Sequence, residues 1–288
     1  MSTMPRTSFV IATRDRSAEL TGTLTRLLDT TGCPIIVVDN ASRDDSVAAA
    51  SRIAAAGRVT VIPLSRNAGA AARNIGVARC GTPYVAFCDD DSWWAPDAIA
   101  RQIFDTFGTV ALLAARTVLL PARRDDEFTE QLAHSPLGHR AGLPGPSILG
   151  FQACSALVRA WAFRRVGGFS PILHFRGEET LLACDLAADG WDLCFCPELV
   201  AYHRPSQIRS ASRAQRARIL RNALLTACLR RPVDRCARAG AALAWAALHD
   251  AAHAKALLEA TAALPAALRE RRRLPDAVER SLRMLESG

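Results

Sequence analysis

The first 108 residues alternate between short apolar runs and longer segments with a helical pattern. The apolar runs are rich in Val and Ile, which favour strands, whereas the segments between them are rich in Ala. A strand, helix, strand series of this kind predicts an α/β fold whose mainly parallel sheet is covered by helices. The predicted strands are residues 7–13, 34–39, 58–64 and 83–88, and the predicted helices are residues 17–29, 42–57, 68–80 and 95–108.

The remainder of the chain is less regular at first and then helical. Residues 109–119 predict a further strand, and residues 121–149, charged and then rich in Gly and Pro, predict a long loop. Residues 150–203 return to mixed helix and strand, and from residue 211 the chain is rich in Ala, Leu and Arg. We therefore expect an α/β domain over residues 1–205 and a helical extension over residues 206–288.

Charge is divided unevenly between these two parts. Residues 1–203 carry 19 basic and 21 acidic residues, a net charge of −2, whereas residues 204–288 carry 17 and 7, a net charge of +10. A basic extension indicates either a solvated helical face or contact with an anionic partner. The amphipathic pattern of residues 211–231 is compatible with packing on the α/β domain, with a homodimer, or with peripheral contact at a membrane.

Several classes of protein are disfavoured by composition. No apolar run approaches the roughly 18 residues that a membrane span needs, and the start does not resemble a secretory signal. We therefore expect a cytoplasmic protein, or one peripheral at the inner face of the membrane. No nucleic-acid recognition motif accompanies the basic residues, so nucleic acid is not an expected partner. The nine cysteines include no CxxC pair and are expected to be reduced core residues.

Polar residues follow each of the four predicted parallel strands. Because ligands of open α/β sheets bind beyond the carboxyl ends of the strands, these residues are expected to share one rim. Adjacent carboxylates need a cation, and Mg²⁺ or Mn²⁺ commonly binds through one or two carboxylates plus substrate phosphates. A solvated turn or a helix cap is the simpler alternative for the three aspartates. The rim residues are Thr13, Arg14, Asp39, Asn67, Gly69, Asp89, Asp90 and Asp91.

Four segments together resemble family-2 glycosyltransferases of the GT-A fold. They are "VIATRDR", "VVDNAS", "NAGAAARNIG" and "FCDDDSWW", and the resemblance covers roughly residues 6–205. It implies an inverting enzyme with a Rossmann-like, mostly parallel sheet. Residues 1–108 would form its nucleotide-binding half and residues 109–205 its acceptor half.

The resemblance also implies roles for individual residues. Asp39 would bond the nucleotide base, Arg73 would lie near the base or ribose, and His203 would complete the metal site. The alternative for His203 is a bond to a diphosphate oxygen or a loop cap. By role, the implied nucleotide-sugar residues are Thr13, Arg14, Asp39, Asn67, Gly69, Arg73, Asp89 and Asp90, and the implied metal ligands are Asp91, Asp89 and His203.

Inversion needs a base that deprotonates the acceptor hydroxyl. The family typically has "GGF…ED" where this chain has Gly167, Gly168 and Phe169 followed by Glu178 and Glu179. By resemblance Glu179 is the expected base and Glu178 the second candidate. Alternatively, both are first-turn acids favoured by the helix dipole. The expected acceptor contacts are Trp93, Trp94 and Gln152, with the alternative that one of the two tryptophans packs in the core.

The expected function is transfer of a hexose or deoxyhexose, with Mn²⁺ or Mg²⁺, from a UDP, GDP or dTDP sugar. The acceptor would be a hydroxyl of a polysaccharide, lipid or natural product. A nucleotidyltransferase-like enzyme is one alternative, although the Gly-rich, Lys-containing signature of that class is missing from "IATRDR". A non-catalytic module that binds a nucleotide-sugar is another.

Overall fold

The computed structural model describes residues 5–55, 57–96, 103–205 and 212–287. The described strands form one nine-stranded sheet with helices on both faces, which confirms the predicted α/β class. The strands are β1 (Thr7–Thr13), β2 (Ile35–Asp39), β3 (Val59–Pro63), β4 (Tyr84–Cys88), β5 (Ser92–Trp94), β6 (Val110–Leu119), β7 (Arg124–Asp125), β8 (Ala156–Arg159) and β9 (Asp192–His203).

The helices divide into those of the α/β part and those that follow it. The first group comprises α1 (Ser17–Thr30), α2 (Ser46–Ala54), α3 (Ala72–Arg79), α4 (Ile103–Thr106), α5 (Glu127–Ala133), α6 (Ala160–Val166) and α7 (Glu178–Ala188). The second comprises α8 (Ser212–Arg230), α9 (Val233–Ala247), α10 (Ala251–Arg269) and α11 (Asp276–Ser287).

The first four strands are parallel and lie in the order β3-β2-β1-β4. Thr13 pairs with Asp39, and Asp39 pairs with Pro63, so the carboxyl ends of three strands are level. Side chains on the two faces of these strands pack into two separate hydrophobic cores. Val10 packs with α3, α6 and α7, whereas Phe9 and Ile11 pack with α1.

The other half of the sheet is mixed. Strand β8 is antiparallel to both β4 and β6, β9 is parallel to β6, and β5 is antiparallel to β9. Ser92 pairs with His203 in the last of these ladders. The strand β5 therefore brings the end of β9 beside the three aspartates.

Two expectations about local structure need correction. Residues 121–149 are not one loop, because Asp126 accepts a hydrogen bond from the amide of Phe128 and begins α5. Of the predicted helix 95–108, residues 97–102 lie outside the described part of the chain, and the described helical portion is Ile103–Thr106. Ser92–Trp94, to which the sequence assigned no element, form a strand that pairs with β9.

The four last helices pack against α7 and the segment before it. The Arg230 guanidinium is buried and pairs with Asp185 of α7, with 2.9 Å between Nη2 and Oδ2. The side chain of Asn222 donates to the carbonyls of Leu173 (3.0 Å), Phe175 (2.9 Å) and Arg176. The extension thus holds the backbone immediately before α7. Within the described ranges, no helix combines the length and apolar character that membrane crossing requires.

The ion pair between α7 and α8 predicts a stability difference between two aspartates. Asp185→Ala leaves the buried Arg230 charge without its carboxylate and should lower the free energy of unfolding by about 3–5 kcal/mol. Asp189→Ala removes the exposed partner of Arg165 and should lower it by about 0–1 kcal/mol. Urea denaturation measures both, and equal losses would contradict the structural role of the Arg230 pair.

Candidate active site

Asp90 occupies the centre of the three-aspartate turn and is buried. Its Oδ2 accepts a hydrogen bond from Thr13 Oγ1 and its Oδ1 accepts one from Arg16 Nη1, both at 2.9 Å. Burial raises the pKa of Asp90 to about 7, while the charge of Arg16 opposes the rise. Thr13 and Asp90 were predicted to bind the nucleotide-sugar, but in the structure they bond each other and fix the turn.

Asp91 follows Asp90 in the same turn, and its side chain is buried almost as deeply. Its Oδ2 accepts a hydrogen bond from Arg16 Nη1 at 2.9 Å, and its Oδ1 lies 3.4 Å from His203 Nε2. Burial opposes ionisation, but the interactions with His203 and Arg16 lower the pKa of Asp91. Burial likewise disfavours the charged form of His203, yet Asp91 raises its pKa. The structure therefore brings these two predicted metal ligands together.

Asp91 and His203 have the donor chemistry that a divalent cation needs. A carboxylate oxygen and an imidazole nitrogen are a combination that suits Mn²⁺ better than Mg²⁺. The Nδ1 atom of His203 is buried without a hydrogen-bond partner among the described residues. In the same described ranges no group of three His, Cys, Asp or Glu side chains forms a complete metal cluster. The residues fit a cation that takes its other ligands from a diphosphate and water.

Arg73 and Asp89 form a second ion pair next to the first. The Arg73 guanidinium is hydrogen-bonded to Asp89 Oδ1 and lies 5.8 Å from the ring centroid of Phe169. Arg73 is only 5% exposed, and its proximity to the base or ribose stays a prediction. Its hydrogen bond with Asp89 holds that carboxylate in place.

Asp39 and Arg14 lie at the ends of the first two strands. Asp39 is buried and accepts hydrogen bonds from the backbone amide of Ser42, at 2.9 Å, and from the Ser42 hydroxyl. Arg14 is exposed and pairs with Asp15 at 3.3 Å. Both residues are on the predicted rim, and no contact joins the two side chains among the interactions described for this part of the chain.

A network of amides shapes the turn after β3. Asn40, which the sequence did not single out, donates to the Gly69 carbonyl and accepts from the Ala68 amide, each at 2.9 Å. Asn67 Oδ1 accepts from the Gly69 amide at 2.8 Å. Gly69 has φ +61°, and a Cβ there would lie 2.1 Å from the carbonyl oxygen of His174. Asn67 and Gly69 therefore bring the β3 turn against the segment that leads to α7.

The two glutamates open α7 in different environments. Glu178 is 1% exposed and its Oε2 has no hydrogen-bond partner among the described residues, whereas Glu179 is half-buried. Burial raises the pKa of both carboxyls, and for Glu178 the neighbouring charge of Glu179 adds to the rise. Gly177 precedes them with φ +83°, a conformation that favours glycine. Of the two residues, Glu179 retains more exposed surface.

The expected acceptor contacts separate in the structure. Trp94 is 1% exposed in the core beneath the sheet, and its Nε1 donates to the Phe87 carbonyl at 3.0 Å, so its predicted contact with an acceptor is wrong. Trp93 is half-buried, with the Arg26 guanidinium 4.5 Å from its ring centroid. Gln152 remains at the site, where its Nε2 donates to Asp126 at 3.1 Å.

Two site residues were missed by sequence reasoning. Arg16 neutralises Asp90 and Asp91, and its signal was present in "TRDR", three residues beyond the strand-end threonine. Asp126 lies close enough to His203 for its charge to raise the pKa of that imidazole. Asp126 had no sequence signal, because it lies in the segment predicted to be a loop.

Comparison with known proteins agrees with this geometry. The family described as Glycosyl transferase family 2 matches residues 8–107. The pre-mycofactocin glycosyltransferase of Mycobacterium tuberculosis (strain ATCC 25618 / H37Rv) is 33% identical over 214 residues, which is 69% of this chain and 43% of that protein. This chain therefore spans less than half the length of that relative.

Solved structures support the fold at lower identity. S. aureus TarS has a TM-score of 0.58 and 16% identity, over 78% of this chain and 40% of that chain. GalNAc-T7, crystallised with UDP, GalNAc and Mn²⁺, has a TM-score of 0.59 and 15% identity, over 77% and 47%. The sheet and its acidic rim thus define an α/β domain of the GT-A type. The chain belongs to glycosyl transferase family 2.

Replacing the buried Glu178 with a neutral residue is predicted to stabilise the protein by an amount that depends on pH. The folded-state pKa of Glu178, about 8, lies above its ordinary value of 4.5. The carboxyl's contribution to the free energy of unfolding is therefore complete below about pH 4.5 and is lost as the pH rises through 8. Glu178→Gln should therefore match the wild type in acid and be more stable in alkali. Thermal unfolding across this range should show a difference in Tm that grows with pH, by about 2–4 °C for each kcal/mol.

Glu127→Gln is the matched control, because Glu127 is an exposed glutamate in the first turn of α5. Its substitution should shift Tm little at any pH. A pH-independent effect of Glu178→Gln would contradict the buried, unpartnered environment of the Glu178 carboxyl.

Proposed function

We propose that the protein is an inverting, divalent-metal-dependent glycosyltransferase that uses a nucleoside-diphosphate sugar. The observation that carries the proposal is the arrangement of acids around Arg73. Burial lowers the pKa of that guanidinium, but Asp89, Glu178 and Glu179 together raise it. Asp89 of the rim and the two glutamates of α7 are thus all close to the Arg73 guanidinium. Asp91 and His203 form the neighbouring pair.

Asp91 and His203 are the residues proposed to hold the cation. The cation would neutralise the charge that develops on the nucleoside diphosphate as it leaves. Arg16 keeps Asp91 ionised and oriented before the metal binds, since it donates to both Asp90 and Asp91. Asp39, Arg14 and Asp89 provide the polar groups proposed for the nucleoside and sugar.

Glu179 is proposed as the general base. The residue is half-buried, whereas Glu178 is almost fully buried. Burial also raises its pKa, which makes the carboxylate a stronger base than an exposed glutamate. Glu178 and Arg73 behind it keep the carboxylate in a dry, charged environment.

UDP is the proposed nucleotide. The solved structures that support this choice are TarS residues 1–349 with UDP-GlcNAc (TM-score 0.55) and GalNAc-T7 with UDP and Mn²⁺ (TM-score 0.59). The relative named for pre-mycofactocin supports a natural-product acceptor over a polysaccharide. A nucleotidyltransferase would release pyrophosphate instead of UDP, so the product of the reaction separates the two candidates.

Nucleotide binding should depend on the metal ligand. UDP with Mn²⁺ should raise the Tm of the wild type more than UDP alone, GDP or dTDP. Asp91→Ala should abolish the difference that Mn²⁺ makes, because it removes the carboxylate beside His203. Asp29→Ala, an exposed aspartate at the end of α1, should leave it unchanged. No response of the wild type to any nucleotide with metal would favour a non-catalytic module.

Transfer should depend on Glu179 more than on Glu178. Glu179→Gln should retain the thermal shift with UDP and Mn²⁺ but lower kcat about 10²–10⁴-fold, since the amide cannot accept the proton. The measurement is release of UDP from a panel of UDP-sugars in the presence of acceptor. Normal turnover by Glu179→Gln together with an inactive Glu178→Gln would reverse the assignment of the base.

A further inference from the structure

The backbone before α7 lies between the rim of the sheet and the helix α8. On one side, the carbonyl of His174 accepts a hydrogen bond at 2.7 Å from the amide of Ala70, in the turn that follows β3. On the other side, Asn222 of α8 donates to the carbonyl of Leu173 at 3.0 Å. A single backbone segment therefore separates α8 from the carboxyl ends of the parallel strands.

The contacts of α8 also fix its direction relative to α7. Arg230, in the last turn of α8, pairs with Asp185 of α7, whereas Asn222, about two turns earlier, contacts the residues before α7. The two helices therefore run in the same direction, and the part of α8 before Asn222 extends past the start of α7. Arg218 lies one turn before Asn222 on the same helix face, because residues four positions apart are neighbours on a helix. Arg218 is thus placed beside the segment that contains His174.

Positive charges from the rim and from the extension converge on His174. Burial lowers the pKa of the His174 imidazole, and the charges of Arg218, Arg221 and Arg14 lower it further. All three guanidinium groups are therefore close to this one ring. Arg14 follows the last residue of β1, so the group joins the rim of the sheet to α8.

The three arginines differ in how far their charge is already neutralised. Arg221 is mostly buried, and its Nε lies 3.8 Å from Glu259. Arg14 lies 3.3 Å from Asp15, but both side chains are exposed, and exposed ion pairs contribute little. Arg218 is exposed and has no carboxylate partner in the described part of the chain. Arg218 and Arg14 are therefore the two charges that an anion could still use.

The rest of the rim has no comparable charge to offer. Its other guanidinium groups, Arg16 and Arg73, are paired with the three consecutive aspartates. Two phosphate groups carry more negative charge than one divalent cation neutralises. A nucleoside diphosphate bound among these acids therefore needs positive charge in addition to a metal.

We propose that Arg218, together with Arg14, binds the diphosphate of the nucleotide-sugar, so that the helical extension completes the donor site. The inference rests on the proposed function. Guanidinium groups suit this task because their planar donors pair with phosphate oxygens, and two of them close together favour a diphosphate over a monophosphate. His174 lies between the two arginines and keeps the segment before α7 against the turn after β3.

Calorimetric titration of the full chain with UDP and with UMP tests this assignment. Arg218→Gln should weaken UDP about tenfold whether or not Mn²⁺ is present, because it removes a charge that the metal does not supply. UMP should be weakened less, since it lacks the second phosphate group. Arg218→Lys keeps the charge and should retain most of the affinity for UDP. The Tm of each variant without ligand should match that of the wild type, because Arg218 is exposed.

Arg216→Gln is the matched control. Arg216 is also an exposed arginine of α8, but it lies on a different helix face and is not among the charges that act on His174. Its substitution should leave the affinity for UDP unchanged. Asp91→Ala should remove the effect of Mn²⁺ on UDP binding and leave the effect of Arg218→Gln in metal-free titrations.

The outcomes separate this inference from the proposed function. Wild-type affinity of Arg218→Gln for UDP, equal losses for UDP and UMP, or equal effects of Arg218→Gln and Arg216→Gln would each overturn the inference and leave the proposed function intact. Unchanged UDP affinity together with a raised KM for the acceptor would assign Arg218 to the acceptor and also overturn it. A wild type that binds no UDP would contradict the proposed function and this inference together.

Discussion

The site depends on two guanidinium groups that hold five carboxylates close together. Asp89, Asp90 and Asp91 are consecutive, and Glu178 and Glu179 approach them from α7. Like charges in a partly buried site raise each other's pKa and destabilise the fold unless cations lie between them. Arg16 pairs with Asp90 and Asp91, and Arg73 pairs with Asp89. The remaining energetic cost lies at Glu178, whose buried Oε2 has no hydrogen-bond partner in the described structure.

Both parts of the chain stabilise α7, because Leu182, Ala183 and Leu186 pack into the core of the α/β domain while its other side contacts the helical extension. The helix begins after a left-handed glycine, and its first turn buries the Glu178 carboxyl, whose Oε2 has no hydrogen-bond partner among the described residues, so the start of the helix carries an unfavourable burial. Arg230 anchors its side through Asp185, and Asn222 holds the backbone that precedes it. The basic helical extension therefore helps to fix the position of the two glutamates at the start of α7.

Much of the parallel half of the fold could be predicted from sequence, because each strand there is a local run of β-branched residues followed by its own helix. The shared location of the strand-end aspartates could be predicted in the same way, because the carboxyl ends of neighbouring parallel strands lie at one edge of the sheet. The mixed half could not be predicted, because the pairing of β5 with β9 joins residues more than 100 positions apart. Trp94 was misplaced for that reason: the periodicity of so short a strand does not reveal which tryptophan enters the core. Asn222 acts on carbonyls 46–49 positions earlier in the chain, and no local pattern marks such a contact.

The Asn222 contact has a consequence for synthesis of the protein. A ribosome completes the strands, the aspartates and both glutamates before it reaches α8, so in a nascent chain the loop at residues 173–176 still lacks its hydrogen bonds from Asn222. The backbone before α7 is therefore held in place only once synthesis has passed Asn222, more than 40 positions beyond both glutamates.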